Sequence, residues 1–111
     1  MKTSELIQKL NLRVFNSNQI SDAEITGGYT SDLLSDVMGN AAPGQAWLTL
    51  QTHKNVAAIA SLKDLSAIVL VNNNTPENDM LEAAENEGIA VLGSQLPAFE
   101  LSAAIYNALQ V

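Results

Sequence analysis

Two short polar segments of the sequence carry residue types that could bind an anionic ligand. The first contains Gly27 and Gly28, flanked by the hydroxyl side chains of Thr26, Thr30 and Ser31. Adjacent glycines permit positive φ angles or a close backbone approach, and free N–H groups at the start of a following helix favour an anion. The segment therefore predicts a pocket for a phosphate or a carboxylate. A tight turn with a hydroxyl cap would use the same residues, so both interpretations stay open.

The second segment follows a predicted strand and holds Thr52, His53 and Lys54. Lys54 could pair with an anion, and His53, the single histidine, could donate a hydrogen bond or titrate near neutral pH. Solvated side chains at a capped helix start are the alternative interpretation. We expect any ligand to lie between this segment and the Gly27–Gly28 segment.

Signatures of catalysis or of metal binding are missing from the sequence. Neither a P-loop nor the G-x-G-x-x-G fingerprint is present. A lone histidine without any cysteine offers no metal set, and no nucleophile, base and orienting group can be named from spacing. Asp32 and Asp36 could share a divalent cation, but Asp32 as a helix-dipole partner and Asp36 as a solvated carboxylate are favoured. We therefore expect no catalytic residue, no metal and no cofactor.

Secondary structure around the glycines follows from local sequence signals. A turn is predicted at residues 16–18, and Ile25 is predicted to end the next strand. The two glycines then turn the chain into a helix over residues 31–38. Gly39 and Asn40 are predicted to end that helix in a left-handed cap.

Further along the chain, strand, loop and helix alternate three times. Strands are predicted over residues 12–15, 46–50, 66–71 and 89–92. Helices are predicted over residues 3–9 and 56–62. Another helix is predicted after Thr75, with Thr75 as its cap and Pro76 at its first position, and the last helix is predicted to begin at Pro97. The nearly continuous apolar run at 66–71 indicates a central parallel strand that is buried on both faces. The pattern predicts an α/β fold with a mostly parallel sheet of about five strands and helices on both faces.

The bulk composition limits the size of the core and the classes of partner. The 111 residues are 47% hydrophobic and 15% charged, which fits a single domain over residues 1–111. Trp47, Phe15, Phe99 and Tyr106 are predicted to lie in the core or at a subunit interface rather than to form a stacking platform. The net charge is −7, and residues 64–111 hold acids without a base. An acidic surface repels phosphate backbones, so nucleic-acid binding is disfavoured.

The sequence also predicts a cellular location. No apolar run approaches the ~20 residues needed to span a bilayer, and the first residues carry no apolar leader. The absence of cysteine suits a reducing compartment. We therefore expect a cytoplasmic protein that does not associate with membranes.

Residues 24–28 read Glu-Ile-Thr-Gly-Gly, and this run resembles the five residues that name the DRTGG domain family. Glu24 stands at the acidic position, and Ile25 replaces the arginine. Residues 26–38 and 50–56 look like the stand-alone members of the same family. The resemblance covers nearly the whole chain.

The resemblance implies an α/β fold similar to the amino-terminal domain of HPr kinase/phosphatase. Domains of this family also occur within phosphotransacetylases and between the CBS domains of regulated pyrophosphatases. They are accessory domains implicated in dimerisation and regulation, without established catalytic residues. Stand-alone members tend to be encoded in anaerobic bacteria beside iron-only hydrogenase and ferredoxin-type proteins, which implies a partner protein in anaerobic redox metabolism.

These observations favour a non-catalytic regulatory or protein-interaction domain. We expect a homodimer that senses a small anionic metabolite or a nucleotide. Two alternatives stay open. One is a small enzyme or phosphotransfer accessory that uses His53, and the other is a purely structural dimerisation module.

Overall fold

A five-stranded sheet with helices on both faces forms the framework of the protein. The structure, a computed structural model, describes residues 1–16 and 22–110. The strands are β1 (Arg13–Val14), β2 (Gly27–Thr30), β3 (Gln45–Thr49), β4 (Ala67–Leu70) and β5 (Ala90–Gly93). The helices are α1 (Thr3–Leu10), α2 (Leu34–Asn40), α3 (Lys54–Leu62), α4 (Asn78–Asn86) and α5 (Ala98–Leu109). The predicted turn at residues 16–18 lies largely outside the described residues.

The strands are arranged in the order β1-β5-β4-β3-β2. The four strands from β2 to β5 are parallel, and β1 pairs with β5 in the antiparallel direction. β1 and β2 therefore form the two edges of the sheet. This topology confirms the predicted α/β fold with a mostly parallel sheet.

The core has two layers, one on each face of the sheet. One face is covered by α1 and α5, and we call it the α1–α5 face. Here Leu6, Leu101 and Ile105 pack on the strand residues Leu48 and Val69. The opposite face, the α2–α4 face, is covered by α2, α3 and α4, which contribute the buried residues Val37, Val56, Met80 and Ala84. Successive strand residues alternate between the faces, so each strand supplies both layers.

The central position of β4 follows from its composition. All four of its residues, Ala67–Leu70, are buried, as the apolar run predicted. Trp47 in β3 is fully buried on the α2–α4 face, and its indole N–H donates to the Ser31 carbonyl at 2.8 Å. Trp47 is therefore a core residue, as predicted. Phe99 and Tyr106 are not, because both side chains are exposed.

The predicted glycine turn at Gly27–Gly28 is wrong. Both glycines lie inside β2, opposite Gln45 and Ala46, and neither has a positive φ. Pairing with β3 satisfies their backbone, and this long-range partner cannot be read from the local sequence. Ile25, predicted to end a strand, is a buried residue just before β2.

The boundaries of α2 also differ from the prediction. The helix begins at Leu34 and includes Gly39 and Asn40, so these two residues do not form a left-handed cap. The Asn40 side chain donates to the Asp36 carbonyl at 3.2 Å and to the Asp36 carboxylate at 2.9 Å. These hydrogen bonds hold Asn40 in the last helical turn.

The left-handed glycines lie elsewhere in the chain. Gly44 has a φ of 86° and lies in the turn between α2 and β3. Gly88 has a φ of 70° and lies beyond the end of α4. At both positions, the absence of a Cβ permits a conformation that other residues adopt at a cost.

The start of α4 is displaced from the predicted cap. Neither Thr75 nor Pro76 caps the helix or occupies its first position, since Glu77 is the N-cap. The Glu77 N–H donates to the Thr52 carbonyl at 3.0 Å, which holds the chain extended until that residue. No helix in the described ranges is long and apolar enough to cross a bilayer.

Candidate functional site

A groove of about 660 Å³ separates β2 from α5 on the α1–α5 face. The strand side is formed by Thr26, Gly27, Gly28 and Thr30. These are four of the eight residues that the sequence nominated for ligand binding. A volume in this range is typical of small-molecule sites.

The groove exists because Gly28 presents no side chain to α5. A Cβ at Gly28 would lie 4.0 Å from the Leu48 Cδ1 atom and 3.7 Å from the Ala46 carbonyl oxygen, which are ordinary contacts. The space above the strand is therefore open rather than filled by a neighbour. A side chain at this position would project into the groove, because Leu48 belongs to the α1–α5 face.

Two aromatic rings border the groove on the helix side. Phe99 and Tyr106 lie seven residues apart on α5, which places them on one face of the helix about two turns apart. Phe99 is 85% exposed and Tyr106 is 66% exposed. Exposed aromatic rings beside a concave surface are well suited to stack on a planar ligand.

Hydroxyl and amide groups provide the polar part of the lining. Thr26, Thr30 and Ser102 contribute hydroxyls, and Gln45 and Asn107 contribute amides. No charged side chain of the described residues lines the groove. The groove can therefore hydrogen-bond an uncharged polar ligand but offers no counter-charge to a phosphate.

β2 also has an unpaired edge beside the groove. The Ser31 N–H donates to the Leu48 carbonyl of β3, so the backbone of Ser31 faces β3. The Thr49 carbonyl faces the other way and accepts the N–H of Val71, just after β4. Because backbone groups alternate in direction along a strand, Gly27 and Tyr29 also face β3. The backbone N–H and C=O groups of the even-numbered β2 residues face outward. An exposed strand edge is a template for pairing with another chain.

The other four nominated residues lie outside the groove. Ser31 follows β2, and its hydroxyl accepts the Leu33 N–H at 3.2 Å. Thr52, His53 and Lys54 lie after the carboxyl end of β3. The structure therefore separates the two nominated segments along the length of the strands, because the glycines are at the start of β2.

His53 is held by an acidic partner. Its Nδ1 atom lies 2.7 Å from a Glu77 carboxylate oxygen, and both side chains are at least half exposed. The Glu77 N–H also binds the Thr52 carbonyl, so this pair links the start of α3 to the start of α4. The arrangement is a connection between two loops at the surface.

Asp32 links the loop after β2 to the loop after β3. Its carboxylate accepts the Thr49 hydroxyl and the Leu50 N–H, each at 2.8 Å. The Gln51 side chain donates to the Asp32 carbonyl at 3.1 Å. Asp32 therefore braces two loops and does not lie on the α2 helix, contrary to the helix-dipole interpretation.

Asp36 belongs to a hydrogen-bonded cluster rather than to solvent. It accepts the Tyr29 hydroxyl at 2.9 Å and the Asn40 amide. Hydrogen bonds from the hydroxyls of Ser31 and Tyr29 lower the pKa of the Asp36 carboxyl, and Asn40 adds to this effect. The Asp36 carboxylate in turn raises the pKa of Tyr29. Within the described ranges, no group of three or more potential metal ligands occurs.

The helix side of the groove was missed in the sequence. The buried residues of α5 form an apolar stripe (Leu101, Ile105 and Ala108), and Phe99, Ser102 and Tyr106 lie off that stripe. Phe99 and Ser102 are three residues apart, and Ser102 and Tyr106 are four apart, so the three residues share a second face of the helix. This spacing can be seen in the sequence, but nothing in the sequence indicates that the face lies over β2.

No protein-family model and no curated protein matches this chain. Among solved structures, it is similar to the CBS and DRTGG domains of the regulatory region of Clostridium perfringens pyrophosphatase, which was solved in complex with its activator, diadenosine tetraphosphate. The TM-score is 0.71 at 14% sequence identity, and the match covers 93% of this chain. The chain spans 45% of that structure's length. This likeness shows the fold: the chain adopts a DRTGG-like α/β fold.

Proposed function

We propose that this chain is a non-catalytic regulatory domain that binds a nucleotide or nucleoside in the β2–α5 groove and functions as a homodimer. One observation carries the proposal: Gly28, which has no side chain, and the exposed rings of Phe99 and Tyr106 line the same groove. The regulatory region with a similar fold binds an adenine dinucleotide, which supports the same ligand class.

The composition of the groove determines which part of the ligand it holds. A nucleobase would stack on Phe99 or Tyr106, and base–aromatic stacking contributes roughly 1–3 kcal/mol per base. The hydroxyl of Thr26 and the amide of Asn107 are available for the polar edge of the base. Because the lining is uncharged, the phosphates contribute little to affinity, and a nucleoside and its nucleotide are expected to bind similarly.

A thermal-shift series with nucleosides and nucleotides tests this proposal. A bound ligand raises the unfolding temperature by mass action. Phe99→Ala should weaken binding roughly tenfold, as expected for one lost stacking contact. Leu62→Ala is the matched control, because Leu62 is 68% exposed on α3. If no compound shifts the unfolding temperature, the ligand-binding part of the proposal is wrong and the interaction role is left.

The nominated segment after β3 provides a second control. His53→Ala and Lys54→Ala should leave nucleoside binding unchanged, because neither residue lines the groove. If these substitutions remove binding while Phe99→Ala does not, the ligand lies at the carboxyl end of β3 instead. The same His53→Ala variant tests a chemical role for this histidine. If the pathway of the partner protein stays active with this variant, His53 has no chemical role.

Homodimer formation is supported by the free edge of β2. The edge carries no charged residue and no proline, the devices that commonly prevent strand pairing. Phe99 and Tyr106 lie beside it, so pairing would bury apolar surface as well. Sedimentation of the purified chain over a concentration series measures the association. A monomer at every concentration would contradict this part of the proposal.

A purely structural dimerisation module is the second candidate, and the same edge and aromatic rings favour it. In that case Phe99→Ala would weaken the dimer although no ligand stabilises the wild-type chain. We also propose, on the family resemblance alone, that the homodimer contacts a partner protein of anaerobic redox metabolism. Co-purification with ferredoxin-type proteins would test that contact.

A further inference from the structure

The direction of the sheet's connections changes between β4 and β5. The chain leaves β4 for α4, which packs on the α2–α4 face through Met80. It leaves β5 for α5, which packs on the α1–α5 face through Leu101. Two neighbouring strands whose connections diverge to opposite faces leave a crevice at their carboxyl ends, and such crevices bind ligands in open α/β sheets.

A second cavity, of about 380 Å³, lies in this crevice. Asn73 and Asn74 line it from the loop after β4, and Ser94 and Gln95 line it from the loop after β5. The Asn73 N–H donates to the Ser94 carbonyl at 2.8 Å, which holds the two loops together. We call this cavity the switch-point cavity. It lies away from the β2–α5 groove, because β2 is at the far edge of the sheet.

Arg13 supplies a positive charge to the switch-point cavity. It is the one charged side chain among the described residues that line it. Within the described ranges, Arg13 makes no ion pair with an acidic side chain. An unpaired guanidinium presents a fork of donors that matches a carboxylate or a phosphate.

An aromatic ring rather than a carboxylate positions Arg13. Its guanidinium carbon lies 4.8 Å from the centre of the Phe15 ring. The ring in turn rests on Gly93, where a Cβ would lie 2.7 Å from the Phe15 Cε2 atom. The absence of a side chain at Gly93 therefore allows the stack of Gly93, Phe15 and Arg13. The ring orients the guanidinium without neutralising its charge.

Amide side chains complete the lining. Asn11, Asn73 and Gln95 line the cavity, and their side chains form no hydrogen bond with the described part of the chain. Asn74 uses its amide nitrogen on the Val71 carbonyl at 2.8 Å. The cavity therefore combines one unpaired cation with several unused donors and acceptors, which is a suitable lining for a small polar anion.

We propose that the switch-point cavity binds a small metabolite that carries a phosphoryl or carboxylate group, with Arg13 pairing with the anion and Asn73 and Gln95 binding the adjoining polar groups. This site is separate from the nucleoside groove, so either proposal can fail without the other. The net charge of −7 repels anions from the surface as a whole, so anion binding at this cavity depends on Arg13.

Nuclear magnetic resonance titration of the full chain tests the proposal. Inorganic phosphate and acetate are added in separate experiments at constant ionic strength. Saturable shifts of the Asn73, Ser94 and Gln95 amides and of the Arg13 side-chain N–H are expected with at least one probe. Saturation by phosphate alone identifies a phosphoryl ligand, and saturation by acetate identifies a carboxylate. Shifts that stay linear with both probes overturn the proposal.

Two charge-matched variants separate a specific site from general charge. Arg13→Gln should weaken the saturating probe roughly tenfold or more, because a charge-assisted pair is lost. Lys63→Gln removes the same charge after α3 and should leave the affinity unchanged. Arg13 is exposed, so Arg13→Gln is expected to fold, and its thermal unfolding verifies this. Equal losses in both variants would show an adventitious ion only.

Discussion

The Thr30 hydroxyl donates to the Ser102 hydroxyl across 2.8 Å, because Ser102 uses its own proton for the Ala98 carbonyl at 2.6 Å. This contact joins the end of β2 to the first half of α5. Gly28, two residues earlier on the same face of the strand, leaves the neighbouring space open. The Thr30–Ser102 contact therefore borders one part of the groove, and the space beside it is open because Gly28 has no side chain.

The first prediction uses the two adjacent glycines as a matched pair. Gly28→Val should fill the groove and abolish nucleoside binding, because its side chain projects toward α5. Gly27→Val should reduce binding much less, because successive strand residues project to opposite faces of the sheet and its Cβ would therefore point away from α5. Both variants should be at least as stable as wild type, since valine suits a strand better than glycine does. Thermal-shift titrations measure both effects, and equal binding by the two variants would contradict the groove.

The second prediction concerns the free edge of β2. Gly28→Pro should prevent dimer formation without unfolding the chain, because the Gly28 N–H faces outward and proline removes no bond to β3. Tyr29→Pro should destabilise the fold, because the Tyr29 N–H faces β3. Sedimentation and urea unfolding separate the two effects. A Gly28→Pro variant that still dimerises would show that the interface lies elsewhere.

The third prediction contrasts two glycines with different backbone conformations. Gly44→Ala should destabilise the chain by about 1–2 kcal/mol or more, because of its left-handed φ. A Cβ at Gly44 would also lie 2.6 Å from the Thr26 hydroxyl. Gly39→Ala should instead stabilise it by about 0.5–1 kcal/mol, since Gly39 is helical and has open space around it. Urea unfolding measures both changes, and a destabilised Gly39→Ala variant would support the left-handed cap that the sequence predicted.

The central architecture could be predicted from the sequence, while the position of the groove could not. The apolar run at 66–71 identified β4, because burial on both faces leaves a local signature. The glycine segment gave a false turn, because the strand conformation at Gly27 and Gly28 depends on pairing with β3. The aromatic face of α5 likewise acquires meaning only when the helix crosses to β2. Contacts between distant elements have no local pattern, so the groove needed the three-dimensional structure.

The fourth prediction tests the brace formed by Asp32. Asp32→Ala should destabilise the chain by about 1–3 kcal/mol, because the buried Thr49 hydroxyl loses its acceptor. Adding Thr49→Val should cost less in this background than in wild type, because the stranded hydroxyl is then removed. A double-mutant cycle from urea unfolding measures the coupling. Strictly additive free energies would show that the carboxylate and the hydroxyl do not depend on each other.

The fifth prediction concerns the pH dependence of the Tyr29–Asp36 pair. Hydrogen bonds from the Ser31 and Tyr29 hydroxyls hold the folded-state pKa of Asp36 below its ordinary value of 3.8. The carboxylate therefore contributes stability above pH 3.8, and this contribution is lost as the pH falls through the folded-state pKa. Tyr29→Phe should raise the pKa of Asp36 and reduce the loss of stability on acidification. Carboxyl NMR titration of Asp36 and unfolding free energies at several pH values measure the two effects.

The same pair predicts the opposite sign in alkali. The Asp36 carboxylate raises the pKa of Tyr29 above its ordinary value of 10.0. A phenol with a raised folded-state pKa contributes stability below pH 10, and the contribution is lost as the pH rises through the folded-state value. Tyr106→Phe is the control, because the Tyr106 hydroxyl has no hydrogen-bond partner in the described part of the chain and its ring is exposed on α5. If Tyr29→Phe and Tyr106→Phe change the stability at acid pH and at alkaline pH equally, the hydrogen bond between Tyr29 and Asp36 does not control the pH dependence of stability.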